Sequence, residues 1–176
     1  MAKAVFCIAT TYPQAERIVE NLETAGFSNN DISVLLPDTQ GTKDFAHEKN
    51  TKAPEGAATG AGAGGVMGGA LGWLAGIGAL AIPGVGPFVA AGPILAMLGG
   101  AALGSTMGGI TGALVGMGIP EYEAKRYEGK LKEGKILISV HSDNSKETDR
   151  AKAIFETAGA QDIATSGEAA VAAAKV

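Results

Sequence analysis

One cysteine and two histidines are all the thiol and imidazole ligands this chain has. With Cys7 alone, no intrachain disulfide can form, and cysteine-based zinc patterns are excluded. His47 and His141 lie far apart in sequence, and a zinc site needs three or four close ligands, so no metal site is expected. No Ser-His-Asp set can be assembled with local support, which leaves an enzyme as the least supported class. An excess of basic residues is also missing. The net charge is −4 and the pI about 5.2, which argues against nucleic acid as a partner. The apolar run after Lys3 is only Ala4 to Ala9, too short for a secretory signal core, so the polar parts are expected to be cytoplasmic.

The largest absence is regional. Residues 56–120 contain no Asp, Glu, Lys, Arg or His, so all 14 basic and 18 acidic residues lie outside them. What fills the run is glycine, 21 of the 27 in the chain. Many recur every fourth position: Gly60, Gly64, Gly68, Gly72 and Gly76, then Gly92, Gly100, Gly104, Gly108, Gly112 and Gly116, with Ala96 in the one gap. A period of four puts these residues on one helix face. Each Gly costs a helix about 1 kcal/mol relative to Ala. Close backbone packing against another such face offsets that cost.

The spacing therefore predicts two helices, 58–80 and 93–118, joined by a turn over Ala81–Phe88, where two prolines and two glycines break helix. This glycine-zipper hairpin is expected to pack on copies of itself, with those glycines as the interface. Each arm is long enough to span a bilayer, about 20 residues. Lys52, Lys125 and Arg126 flank it on one side, as the positive-inside rule favours. Gly and Ala supply little transfer energy, so a soluble oligomeric core is the other reading. The run Gly60-x-Gly62-x-x-Gly65 matches dinucleotide-binding spacing, but it follows a linker rather than a strand. No Lys lies between Lys52 and Lys125, which excludes a Walker loop. The glycines are read as packing, and no cofactor is expected.

The flanks are ordinary in composition. Lys3–Ala9 reads as a buried strand. Thr11 with Gln14 forms a capping box for a helix with Ala15, Ile18, Val19, Leu22 and Ala25 inward, closed by Gly26. Asp31–Leu36 is a second strand, and residues 38–55 a polar linker. After Pro120, a charged helix over 121–133 carries Ala124, Tyr127 and Leu131 on its inner stripe. Lys135–His141 is the third strand. Ser145 is placed to cap a helix with Ala151, Ile154, Phe155 and Ala158 inward. Asp162–Thr165 is a short fourth strand, and 166–176 is an Ala-rich tail, frayed helix or disordered.

Glu23-Thr24-Ala25-Gly26 recurs as Glu156-Thr157-Ala158-Gly159, and Asp31-Ile32 as Asp162-Ile163. Each copy sits in a strand–helix–strand unit. The expected class is α+β: two βαβ halves, 1–37 and the part of 121–165 that follows the charged helix, forming a ferredoxin-like sandwich with two helices on one face. The glycine-rich hairpin of 56–120, with the charged helix as its exit, is inserted between the halves.

Four stretches resemble a known family. They are the opening strand with its helix and Gly26-Phe27, the strand Asp31–Leu35, the entry Lys52-Ala53-Pro54-Glu55-Gly56-Ala57-Ala58-Thr59-Gly60 and the exit Gly118-Ile119-Pro120-Glu121-Tyr122-Glu123-Ala124. Together they are similar to bacterial proteins related to the heat-induced general stress family. The resemblance implies a stress context and carries no catalytic residue. The functional expectation is a non-enzymatic homo-oligomer whose hairpin drives assembly and contacts the inner face of the cytoplasmic membrane. The alternatives are a soluble shell, ring or filament, and a small-ligand regulatory domain with a membrane anchor.

Overall fold

The computed structural model describes residues 3–37, 78–82, 86–94 and 109–167. Over these the chain is α+β. In order it forms β1 (Lys3–Ala9), α1 (Tyr12–Thr24), β2 (Ile32–Pro37), β3 (Gly78–Ile82), β4 (Gly86–Ala91), α2 (Ile110–Gly116), α3 (Glu121–Lys132), β5 (Ile136–Ser142), α4 (Ser145–Thr157) and β6 (Gln161–Gly167). The strands make one antiparallel sheet in the order β3-β4-β2-β5-β1-β6.

β1 shows why the sheet is buried on both sides. Its residues are apolar at consecutive rather than alternate positions, which suits a strand covered on both faces. Val5, Cys7 and Ala9 enter one core with Ile32, Val34, Ile138 and Val140. α1 and α4 cover this face through Ile18, Val19, Leu22, Ala151 and Phe155. Ala4, Phe6 and Ile8 enter a second core with Leu35, Phe88 and Leu137. α2 and α3 cover that side through Ile110, Leu114, Ala124, Tyr127 and Leu131. Three layers result, with helices on both faces of the sheet. The expected arrangement left one face of the sheet bare. The charged helix, read as a mere exit from the hairpin, is half of the layer that covers it. Its inner stripe of Ala124, Tyr127 and Leu131 is as the spacing requires.

The two repeats keep one design. β1 and β5 are both 7 residues, and α1 and α4 both 13. Each helix begins with an extended polar cap. Thr11 Oγ1 accepts from Gln14 N at 3.3 Å. Asn144 Oδ1 accepts from Glu147 N at 3.0 Å, so the second cap is Asn144 and not Ser145, which is already the first helical residue. Each helix ends at a left-handed glycine, Gly26 or Gly159, followed by an apolar residue whose N–H bonds back to the last turn. The bonds are Phe27 N to Leu22 O at 3.1 Å and Ala160 N to Phe155 O at 2.9 Å. The helices also close each other's ends. Gln14 Nε2 donates to Ala158 O and Gly159 O, both at 2.9 Å, and Arg150 Nη1 donates to Ala25 O at 2.9 Å. Gln14 Oε1 is left for Thr10 N at 2.8 Å. Such bonds satisfy carbonyls that a helix end leaves orphaned.

The middle of the glycine-rich run departs from expectation. Residues 78–80, assigned to the first arm, are strand. The expected turn Ala81–Phe88 supplies the end of β3 and the start of β4. Gly78–Ile82 pairs with Gly86–Ala90, and Phe88–Ala91 pairs with Val34–Pro37 of β2. Two forces decide this. The four-residue glycine spacing lapses at Leu80 and Phe88, while Ile82, Phe88 and Val89 are strand formers and Pro83 and Pro87 forbid a continuous helix. β2 would otherwise end the sheet with an unpaired edge, and β4 satisfies it. Of the second arm, the described helical residues are Pro93–Ile94 and those of α2. The remainder of both arms, the linker 38–55 and the tail beyond Gly167 lie outside the described residues.

Candidate assembly face

α2 is a short helix whose ends are held by other elements. Gly109, at φ +93°, precedes it and offers no side-chain cap. The cap comes from α3. Glu128 Oε2 accepts from Thr111 N at 3.2 Å and from the Thr111 hydroxyl, while Glu128 Oε1 lies 2.7 Å from Lys132 Nζ. Burial pushes the Glu128 carboxyl up, but hydrogen bonds from Lys132 and Thr111 outweigh it and hold it below the usual carboxylate range. At the other end Ile119 N donates to Leu114 O at 3.1 Å across Gly118. α2 is thereby fixed with Ile110, Ala113 and Leu114 toward the sheet.

That orientation decides where its glycines point. Gly112 is half-buried and Gly116 exposed, one turn apart on the side turned away from the core. Val115 beside them is 37% exposed, and Tyr122 at the start of α3 is 79% exposed; no other large hydrophobic residue among the described ones is exposed.

Gly92 behaves differently. It follows β4 at φ +78° and is not on a helical stripe. A Cβ there would stand 2.0 Å from Ile32 O. Its glycine serves a left-handed bend pressed on β2. Ile94 N, just beyond, donates to the buried Ser33 hydroxyl at 3.2 Å. Of the expected interface glycines, Gly112 and Gly116 thus share a face and Gly92 is apart from them. Gly60, Gly64, Gly68, Gly72, Gly76, Gly100, Gly104 and Gly108 lie outside the described residues.

The residues that invited a chemical reading are dispersed. His141 Nε2 lies 3.0 Å from Asp143 Oδ1 at the end of β5. Ser142 faces the opposite way, as adjacent strand residues must, donating to Lys3 O at 3.1 Å and lying 2.8 Å from Thr148 Oγ1. Its hydroxyl is thus engaged on the side away from the imidazole. Cys7 is fully buried, and burial pushes its thiol well up. Among the described residues no group of three or more His, Cys, Asp and Glu could hold a metal ion, and no helix is long and apolar enough to cross a membrane.

One feature of the sheet rim was not foreseen. β6 bulges against β1 between Phe6 and Ile8, where Asp162 takes φ +51°. α3 fastens the bulge: Tyr127 donates its hydroxyl to Asp162 O at 2.7 Å, and Arg126 pairs with the Asp162 carboxylate. The only signal in the sequence was Asp at that position, one of the few side chains that tolerate the left-handed region. Searches of family models, curated proteins and solved structures return no match for this chain.

Proposed function

We propose that the protein is a non-enzymatic, self-assembling structural protein whose copies associate through the glycine face that begins on α2. The observation that carries this reading is the outward placement of Gly112, Val115 and Gly116, while α2 spends its other side on the core. A bare glycine face weakens a helix by about 1 kcal/mol per residue unless another backbone packs closely on it. The spacing continues upstream into Gly108, Gly104 and Gly100. The order β2-β5-β1-β6 and the matched repeats support a ferredoxin-like core, to which β3 and β4 add two strands. The stress context that the family resemblance implies belongs to the same proposal.

Membrane contact is the second reading, and sequence length bears on it. With 78–82 and 86–91 paired in the sheet, the charge-free run divides into 56–77 and 95–108. The first still has the length of a span, about 20 residues, and the second does not. Contact through one segment fits better than a two-span hairpin.

Gly116→Leu and Gly112→Leu test the assembly reading. Leu is the better helix former, so α2 is not weakened at the exposed site, but its bulk wedges a close interface apart. Light scattering of the full chain should show a smaller particle than wild type, at unchanged circular dichroism. An unchanged particle size removes the glycine face as the interface. Fractionation with and without detergent reports lipid contact separately.

A further inference from the structure

Among the described residues, β3 is the outermost strand at the end of the sheet opposite the bulge, and its one ladder there is with β4. Pro87 stands opposite Ala81 and has no N–H to donate. Residues opposite one another in an antiparallel ladder alternate between bonded and non-bonded pairs. The β3–β4 ladder keeps all its bonds only if Ala81 and Pro87 are a non-bonded pair. Leu80 then exchanges its bonds with Phe88, and Ala79 and Ala81 turn their N–H and C=O groups to the outer edge.

Proteins guard such edges with charge, proline or bulges. β6, at the far rim, has the Asp162 bulge held by Arg126 and Tyr127. β3 has none of these devices: its residues are Gly-Ala-Leu-Ala-Ile, and no charged residue occurs from 56 to 120. We propose that the outer edge of β3 pairs with β3 of a second copy of this chain, antiparallel, about a two-fold axis through Leu80. This inference rests on the self-assembly reading but uses a surface distinct from α2.

Three arguments select a second copy as the occupant. Centring the pairing on Leu80 makes both outward-facing residues bonded, Ala79 with Ala81 of the second copy and the reverse. It sets Ile82 opposite Gly78 and leaves Leu80 facing its own copy on the axis. A neutral strand in a neutral stretch neither repels its own copy nor offers a charged peptide anything to pair with.

The test is a cross-link in the full-length chain. Opposed residues of a non-bonded pair have Cα atoms about 4.5 Å apart, within disulfide reach. Leu80→Cys should therefore give a disulfide dimer on mild oxidation, with buried Cys7 silent. Ala79→Cys alone should not, because position 79 faces 81, whereas an equal mixture of Ala79→Cys and Ala81→Cys should. Ala79→Pro removes an outward N–H and leaves the β4 ladder intact, as edge strands tolerate. It should reduce particle size at unchanged circular dichroism. If Leu80→Cys stays uncross-linked in a particle that Gly116→Leu disperses, the edge proposal falls and the glycine face stands. If the cross-link forms and Gly116→Leu changes nothing, the reverse holds. A monomeric wild-type chain overturns both.

Discussion

Replacing Gly92 by alanine separates two accounts of the same residue by the sign of the effect. On a helical glycine stripe, Gly→Ala stabilises by about 1 kcal/mol. At the bend the structure shows, it must destabilise. A left-handed conformation costs an L-residue about 1–2 kcal/mol. The added Cβ would lie 2.0 Å from Ile32 O and 2.9 Å from both Ile32 C and Ser33 Cα. These are backbone atoms within a paired strand and cannot swing aside. Relief requires β4 to shift from β2, and overpacking of this kind costs about 1–3 kcal/mol. The total is about 2–5 kcal/mol. Urea unfolding followed by far-ultraviolet circular dichroism, at one protein concentration, should show the midpoint lowered by roughly 1–2.5 M at a mid-range slope of about 2 kcal/mol per M. Gly129→Ala is the internal control. It sits on the exposed side of α3, where a Cβ meets nothing within 4 Å, and should stabilise by about 0.5–1 kcal/mol. A Gly92→Ala chain as stable as wild type, with Gly129→Ala behaving as expected, would refute the bend and return Gly92 to a helix.

Gln14→Ala should lower stability by about 1–3 kcal/mol in the same assay, because it removes two hydrogen bonds, to Ala158 O and Gly159 O at a half-exposed helix end, worth about 0.5–1.5 kcal/mol each. Tyr127→Phe, which removes the bond to Asp162 O, should cost about 0.5–1.5 kcal/mol and speed amide exchange along β6. Glu128 has a depressed carboxyl in the folded chain, so its contribution is present above the unfolded carboxylate pKa and is lost as pH falls through the folded value. Glu128→Gln should accordingly flatten the loss of stability on acidification, seen in melting temperature against pH. Cys7, buried with its thiol pushed up, should react with a thiol reagent only as fast as the chain opens; prompt labelling in native buffer would contradict its place in the sheet.

The two repeat units were legible because each is written locally. A continuous apolar strand, a polar cap, an inward stripe at helical spacing and a closing glycine occur in the same order twice. The Glu121–Lys125 and Glu128–Lys132 pairs, observed at 2.6 and 2.7 Å, are equally local, each set by an i,i+4 spacing. What escaped was long-range. That Gln14 would reach the end of α4, or Glu128 the start of α2, is written in no window of sequence. The β3–β4 hairpin escaped for a further reason: the spacing carries the first helix one turn past Gly76 to Leu80, and the Pro- and Gly-rich stretch Ala81–Phe88 reads only as a turn. Of the candidate face, the glycine positions were legible; which side of α2 they occupy became clear only once Ile110 and Leu114 were seen in the second core.

The second core changes what the glycine-rich run is for. Phe6, Ile8, Leu35 and Leu137 alternate along their strands with the residues of the first core, so both faces of the sheet are apolar by sequence. A sandwich with helices on one face alone would leave these side chains in water, at roughly 1.5–3 kcal/mol each. The residues that cover them come partly from the charge-free run itself: Phe88, Ile94, Ile110 and Leu114. The run is therefore no appendage. One part completes the fold, and the part that presents Gly112 and Gly116 does so from a helix anchored in that same core. Any force on the glycine face is transmitted through Leu114 and Glu128 to the sheet and to α3. Association at that face and stability of the second core are then linked, and partners that bind the face must stabilise the fold by mass action.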